Sequence, residues 1–249
     1  MKRRWRGIPI NDCGEKLVQI KADFYCLEPH PYLSLGAPYG LCSDPWRLRS
    51  GVLSRLHFAQ EYLQLDKPDL CFAIFDAWRP ISVQSFMVEH VINKNCSASG
   101  LHRNDPSQRL AVNKVVKEVQ EFWAPPSHNP SAPPPHSTGA AVDLTLSDLD
   151  GVLLDMGGAI DQLGSVSSPD HYLKGAETNF LCRTYHQRRP LLADVMRRVG
   201  FVQHPKEWWH FSYGDQLWAW ECNVSEALYG ACNPFESNER TSFSPSDST

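Results

Sequence analysis

What the sequence lacks narrows the field first. It has no excess of positive charge: 24 lysines and arginines stand against 28 aspartates and glutamates, a formal charge of −4. No stripe of cations marks a nucleic-acid or anionic-membrane surface. No apolar run comes near the roughly 20 residues that span a bilayer. The basic start, Lys2, Arg3, Arg4 and Arg6, could head a leader peptide, but Asn11, Asp12, Glu15 and Lys16 follow where an apolar stretch would have to be. These absences predict a cytoplasmic protein with neither nucleic acid nor membrane as partner. None of the eight cysteines forms a CxxC pair, which argues against a Cys-rich structural zinc site. A chain of 249 residues buries enough core to do without disulfides, so the thiols are expected reduced and mostly buried. No internal repeat is evident.

What is present alternates between helical and strand patterns. Residues 1–46 are broken by Pro29, Pro31, Pro38 and Pro45 and read as irregular. Val52, Leu53, Leu56, Ala59 and Leu63 recur at helical spacing over 48–65. Residues 70–75, LCFAIF, read as a buried strand, followed by a helix of about a dozen residues and a polar turn over 93–106. Leu110, Val115, Val116, Val119, Phe122 and Trp123 mark a further amphipathic helix. Six prolines between Ala124 and Pro135 predict a stiff ordered loop. Residues 141–146 alternate, with Val142, Leu144 and Leu146 toward a core and Asp143 on an open face. Residues 189–199 predict a helix capped by Gly200, and 211–221 a hairpin around Tyr213-Gly214-Asp215-Gln216. The expected organisation is one domain over 1–232 and a polar, disordered tail over 233–249.

Glu207-Trp208-Trp209-His210 puts a carboxylate and an imidazole three residues apart. In an ideal strand those two face opposite sides. They reach one site only if Glu207 lies on a turn, for which His204-Pro205-Lys206 provides, and His210 on the strand after it. The alternative is a Trp-rich core segment with an edge histidine. His136 and Asp143 form a second imidazole–carboxylate pair, with Gly139 free to turn the chain between them; a capping or surface histidine is the alternative there. Together the two stretches hold three metal-ligand types and a spare acid, the equipment of a hydrolytic zinc site. Arg79 lies at a strand end, suited to an oxyanion or a substrate carboxylate, or simply to an ion pair with Asp76.

FDAWRP (75–80), HSTGAAVDLTL (136–146), DMGGAID (155–161), RPLLADVMRRVGF (189–201) and EWWHF (207–211) occur in the order and at the spacing of the D-alanyl-D-alanine dipeptidases, the zinc enzymes of vancomycin-resistance systems, and the chain resembles that family over roughly residues 48–230. The resemblance implies the α+β Hedgehog/D,D-peptidase fold, a central antiparallel sheet with flanking helices. It implies one Zn2+ per chain held by His136, Asp143 and His210, Glu207 as general base, Arg79 stabilising the transition state, and Asp161 binding the free ammonium of a small dipeptide. Pro134 stands where the family usually has a substrate-binding Ser, Ser137-Thr138-Gly139 where an Arg is common, and Trp78 where Tyr is usual. The rival readings are a D,D-carboxypeptidase of the same fold acting on longer peptidoglycan stems, and a zinc-stabilised binding module without catalysis; Glu207 and Arg79 weigh against the second.

Overall fold

The computed structural model describes residues 3–21, 23–40 and 44–233. In chain order the elements are β1 (Leu17–Gln19), β2 (Tyr25–Cys26), α1 (Pro31–Ser34), β3 (Arg47–Arg49), α2 (Ser50–Asp66), β4 (Leu70–Asp76), α3 (Ile81–Ala98), α4 (Arg109–Phe122), β5 (Ala141–Asp148), α5 (Phe180–Arg198), β6 (Val202–Gln203), β7 (His210–Ser212) and α6 (Gln216–Glu221). The class is α+β, as expected. Five strands form one sheet in the order β2-β4-β5-β7-β6, antiparallel except for the β2–β4 pair, and β1 pairs with β3 in a separate ribbon.

Alternation along β4 and β5 divides the core in two. Phe72, Ile74, Val142, Leu144 and Leu146 pack with α2 and α5, together with Trp208, Trp209 and Phe211. Phe75 turns the other way, into a second cluster built from Tyr32, α3, α4 and Trp123. Asp143 therefore does not lie on an open face. Residues 141–147 are buried throughout, so a carboxylate there must be met by other side chains rather than by water.

Several sequence expectations need correction. The first 46 residues are not wholly irregular: they contribute β1, β2, α1 and a 3-10 turn at Arg4–Gly7. The helix after Pro80 is longer than a dozen residues and runs to Ala98, because Ile92 and Cys96 continue its buried face through the polar letters of 93–98. On α4 the inward residue is Val112, while Leu110 is 87% exposed. α5 begins at Phe180, not near Arg189, capped by the Asn179 side chain, which accepts from the backbone N–H of Leu181 and Cys182. Its first turns carry no buried stripe to betray them. The hairpin over 211–221 does not form. Asp215 instead caps α6 by accepting from Trp218 N–H at 2.8 Å, a role the same turn letters serve equally well.

Gly200 follows α5 at φ +91°, as its place predicts. Cys13, Cys26, Cys71, Cys96, Cys182 and Cys222 are free thiols, two of them buried and two exposed. Among the described residues no helix is long and apolar enough to cross a membrane. The expected disordered tail lies, beyond Asn233, outside the described residues.

Candidate active site

A slip in strand register builds the floor of the site. Ile74 pairs with Leu144, and an unbroken ladder would then set Phe75 against Asp143. A bulge skips one residue, so Asp76 pairs with Asp143 instead. Asp143 in turn pairs with His210 on β7. Asp76, Asp143 and His210 thus stand in one row across three strands.

His136 joins them from a 3-10 turn, Pro135–Thr138, that closes the proline-rich loop. Gly139 ends that turn at φ +71°, the left-handed conformation glycine adopts without a Cβ penalty, and a Cβ there would run into Leu17. Glu207 lies outside any strand, its N–H donating to His204 O at 3.2 Å, and the strand starts at His210. The turn-then-strand arrangement expected for this pair is what the chain adopts. Trp209 lines the cleft, whereas Trp208 is wholly core.

The three candidate ligands converge. His136 Nε2 lies 3.2 Å from Asp143 Oδ2 and 3.2 Å from His210 Nδ1, and His210 Nδ1 lies 2.9 Å from Asp143 Oδ1. Bonds of ~2.0–2.2 Å about a tetrahedral ion would space its ligand atoms about 3.3–3.6 Å apart, so the donor set fits zinc with little movement. The far ring nitrogens are engaged as well. His136 Nδ1 donates to Ala77 O at 2.7 Å, which leaves its Nε2 lone pair facing the cluster. His210 Nε2 meets the Ser212 hydroxyl at 3.2 Å, which suits a free lone pair on Nδ1. Burial pushes the Asp143 carboxyl up, but the charge and hydrogen bonds of His136 and His210 outweigh it and hold the group far below the usual carboxylate range.

Around this cluster stand two acids whose shift is opposite to that of Asp143. Glu207 is 3.8 Å from His210 Nδ1 and 3.5 Å from His204 Nδ1. Burial, then the charge of Asp143, push it up to about 8. Burial, then Asp143, likewise push Asp161 up to about 7; it sits at φ +65° and accepts from the Tyr32 hydroxyl at 2.8 Å. His204 is driven the other way, well below the usual imidazole range, chiefly by burial.

Arg79 makes the ion pair with Asp76, through Nε at 3.1 Å and Nη2 at 2.7 Å, and it also lines the cleft with His136, Asp143, Asp161, Glu207 and His210. Nη1 donates to Gln84 and Nη2 to Tyr32, so four of the five guanidinium N–H groups are engaged. The cleft encloses about 70 Å³, against the roughly 10–15 Å³ that one water needs. It is a pocket for a small ligand.

Three contributors escaped the sequence reading, and a fourth, Asp76, figured in it only as an ion-pair partner for Arg79. Asp76 is a hub, meeting Arg79, His30 Nε2 at 3.2 Å and His136 Nδ1 at 3.3 Å. His30 and Tyr32 come from the segment read as irregular, and Arg3 from the apparent leader. No periodicity flags them; only His30-Pro31 as a helix start gave a signal.

Comparison with known proteins bears on the family rather than on single residues. The family model for D-ala-D-ala dipeptidases, peptidase family M15, matches residues 27–227. A D-alanyl-D-alanine dipeptidase of Synechocystis sp. is 45% identical over 224 residues, covering 87% of this chain and 89% of the relative. One from Escherichia coli is 40% identical over 78 residues, 30% of this chain and 36% of that one. Among solved structures, a vancomycin-resistance D,D-pentapeptidase mutant in complex with Zn(II) aligns at 12% identity and a TM-score of 0.46, covering 88% of this chain and 96% of the other. That structural likeness is too slight to carry function; the extent and identity of the sequence matches are not. The chain belongs to the D-Ala-D-Ala dipeptidase family of M15 metallopeptidases.

Proposed function

We propose that the protein hydrolyses D-alanyl-D-alanine to two D-alanines with one zinc ion held by His136, Asp143 and His210, and with Glu207 as general base. The observation that carries this reading is the convergence of three buried ligand atoms beside a carboxylate that burial has made basic. Bound there, zinc would act as a Lewis acid toward the peptide carbonyl and acidify water.

The chain's own groups supply the rest. Glu207 takes the proton of the attacking water and delivers it to the leaving amine; a carboxylate with a raised pKa is the stronger base for the first transfer and a ready acid for the second. Arg79, locked by Asp76 and Gln84, presents its remaining N–H and fixed charge toward the developing oxyanion. Asp161 pairs with the substrate's free ammonium. That pairing, with the small volume of the cleft, favours a dipeptide over the longer stem peptides of a D,D-carboxypeptidase.

Zinc content, together with alanine release from D-Ala-D-Ala, L-Ala-L-Ala and a pentapeptide stem, tests the reading. Near-stoichiometric zinc with turnover of D-Ala-D-Ala alone is expected. Preferential cleavage of the pentapeptide would replace it by the carboxypeptidase reading, and bound zinc without any turnover by the binding-module reading.

A further inference from the structure

A zwitterionic dipeptide brings two charges into the cleft, and the residues so far assigned answer only one of them. The wall running Pro133-Pro134-Pro135 lines the cleft but has no backbone N–H to offer a carboxylate. Arg79 has spent most of its donors. Lys206 does not line the cleft and is paired with Glu121. Arg6 also lines the cleft but donates to Ala132 O, and among the described cations of the cleft only Arg3 has a buried nitrogen without a partner. Arg3 lines the cleft, as do Glu207 and Pro134, and its Nη1 is buried without a hydrogen-bond partner. Its Nη2 donates to Phe122 O at 3.1 Å. Glu207 acts on it through charge alone. A buried guanidinium N–H left unpaired is costly, so the group is suited to receive an incoming acceptor.

The fold holds Arg3 there deliberately enough to rule out a loose end. Arg6 donates to Ala132 O at 2.8 Å. The Gln216 side chain donates to Arg6 O at 3.2 Å and Ile8 O at 2.6 Å. Ala227 N–H donates to Pro9 O, and Asn11 N–H to Ala227 O, at 2.8 and 2.9 Å. The Trp5 ring stands edge-on to His204 with centroids 6.1 Å apart. This strap lies ahead of residues 27–227, the span matched by the family, so nothing in that match assigns it a role.

We infer that Arg3 binds the C-terminal carboxylate of the dipeptide, making the strap over residues 3–11 a specificity element of the site. The inference rests on the dipeptidase reading above. A guanidinium suits the task because its fixed fork meets two carboxylate oxygens at once.

The test compares D-Ala-D-Ala with its C-terminal amide, which lacks the carboxylate, in the wild type, Arg3→Ala and Arg3→Lys, each checked by thermal melting. Arg3→Ala should raise KM for the acid about ten- to a hundred-fold with kcat changed less than about threefold, and should leave kcat/KM for the amide within about twofold. Arg3→Lys should fall between, keeping charge but not the fork. An active wild type whose acid-to-amide preference survives in Arg3→Ala overturns this inference alone, whether both substrates weaken together or neither does. A wild type that releases no alanine from D-Ala-D-Ala overturns the dipeptidase reading and the role of Arg3 with it.

Discussion

His136 Nε2 and His210 Nδ1 face each other at 3.2 Å, although the two residues are 74 apart in sequence and belong to a 3-10 turn and a strand. Two imidazole lone pairs at that distance, with the Asp143 carboxylate against both, form an arrangement whose natural occupant is a cation. Chelation should therefore cost stability as well as turnover. A ligand present at a thousand times its dissociation constant stabilises by about 4 kcal/mol, which for a chain of this size is about 10 °C in Tm. Calorimetry of metal-free and zinc-reloaded protein measures it. An unchanged Tm would mean that the cluster holds no metal.

Glu207→Ala should bind zinc as the wild type does, since Glu207 is outside the ligand cluster. Its kcat should fall about 10²–10⁴-fold, the usual contribution of a positioned proton-transfer group. Metal analysis and steady-state kinetics on one preparation decide the matter. Retained turnover would remove Glu207 as the base.

Asp161 gives the acid limb of the pH profile a direction. Burial and the charge of Asp143 lift its pKa to about 7, so it is neutral below that pH and charged above. Pairing with an ammonium needs the charged form, so ionisation of Asp161 adds to the rise of kcat/KM with pH that Glu207, as the base, also contributes. A cation on Asp143 relieves part of the repulsion, which sets the Asp161 midpoint in the loaded enzyme below about 7. Asp161→Asn should lower kcat/KM about ten- to a hundred-fold and make the limb shallower, leaving the part that belongs to Glu207. An acid limb of unchanged shape in that variant would remove Asp161 from it.

Asp76 carries stability of the opposite sign. Burial pushes its pKa up, but the Arg79 charge, the His30 hydrogen bond and the His136 charge outweigh burial and hold it below the ordinary range. A depressed carboxyl stabilises the fold above its unfolded pKa of about 3.9 and loses that contribution as pH falls through the folded value. Asp76→Ala would strand the buried Arg79 charge, a loss of about 3–5 kcal/mol. Denaturant unfolding at neutral pH measures it. A cost under about 1 kcal/mol would show that Arg79 does not depend on Asp76.

The two tryptophans and the two helix errors show where local pattern stops informing. Glu207-Trp208-Trp209-His210 read alone leaves core and site undecided, and both are realised: Trp208 is core, Trp209 lines the cleft, and Glu207 and His210 face the ligand cluster. α5 began earlier than read because Phe180 and Leu181 are exposed and give no buried stripe. α6 was mistaken for a hairpin arm because Gly214-Asp215 is a turn signal whether a strand or a capped helix follows.

By itself the sequence determined the kinds of group available and much of the local scaffold. The apolar run at 70–75, the alternation at 141–146 and the helical spacing over 48–65 appear in the fold as β4, β5 and α2, because side-chain period and backbone geometry are coupled within one element. Only the tertiary structure decided what meets what. A one-residue bulge after Ile74 puts Asp76 rather than Phe75 against Asp143. His30 and Tyr32 reach the cluster from a segment without periodicity. Arg3 reaches the cleft through a strap tied to Ala132, Gln216 and Ala227. These are pairings between residues far apart in the chain, set by register and long-range hydrogen bonds, which no window along the sequence contains.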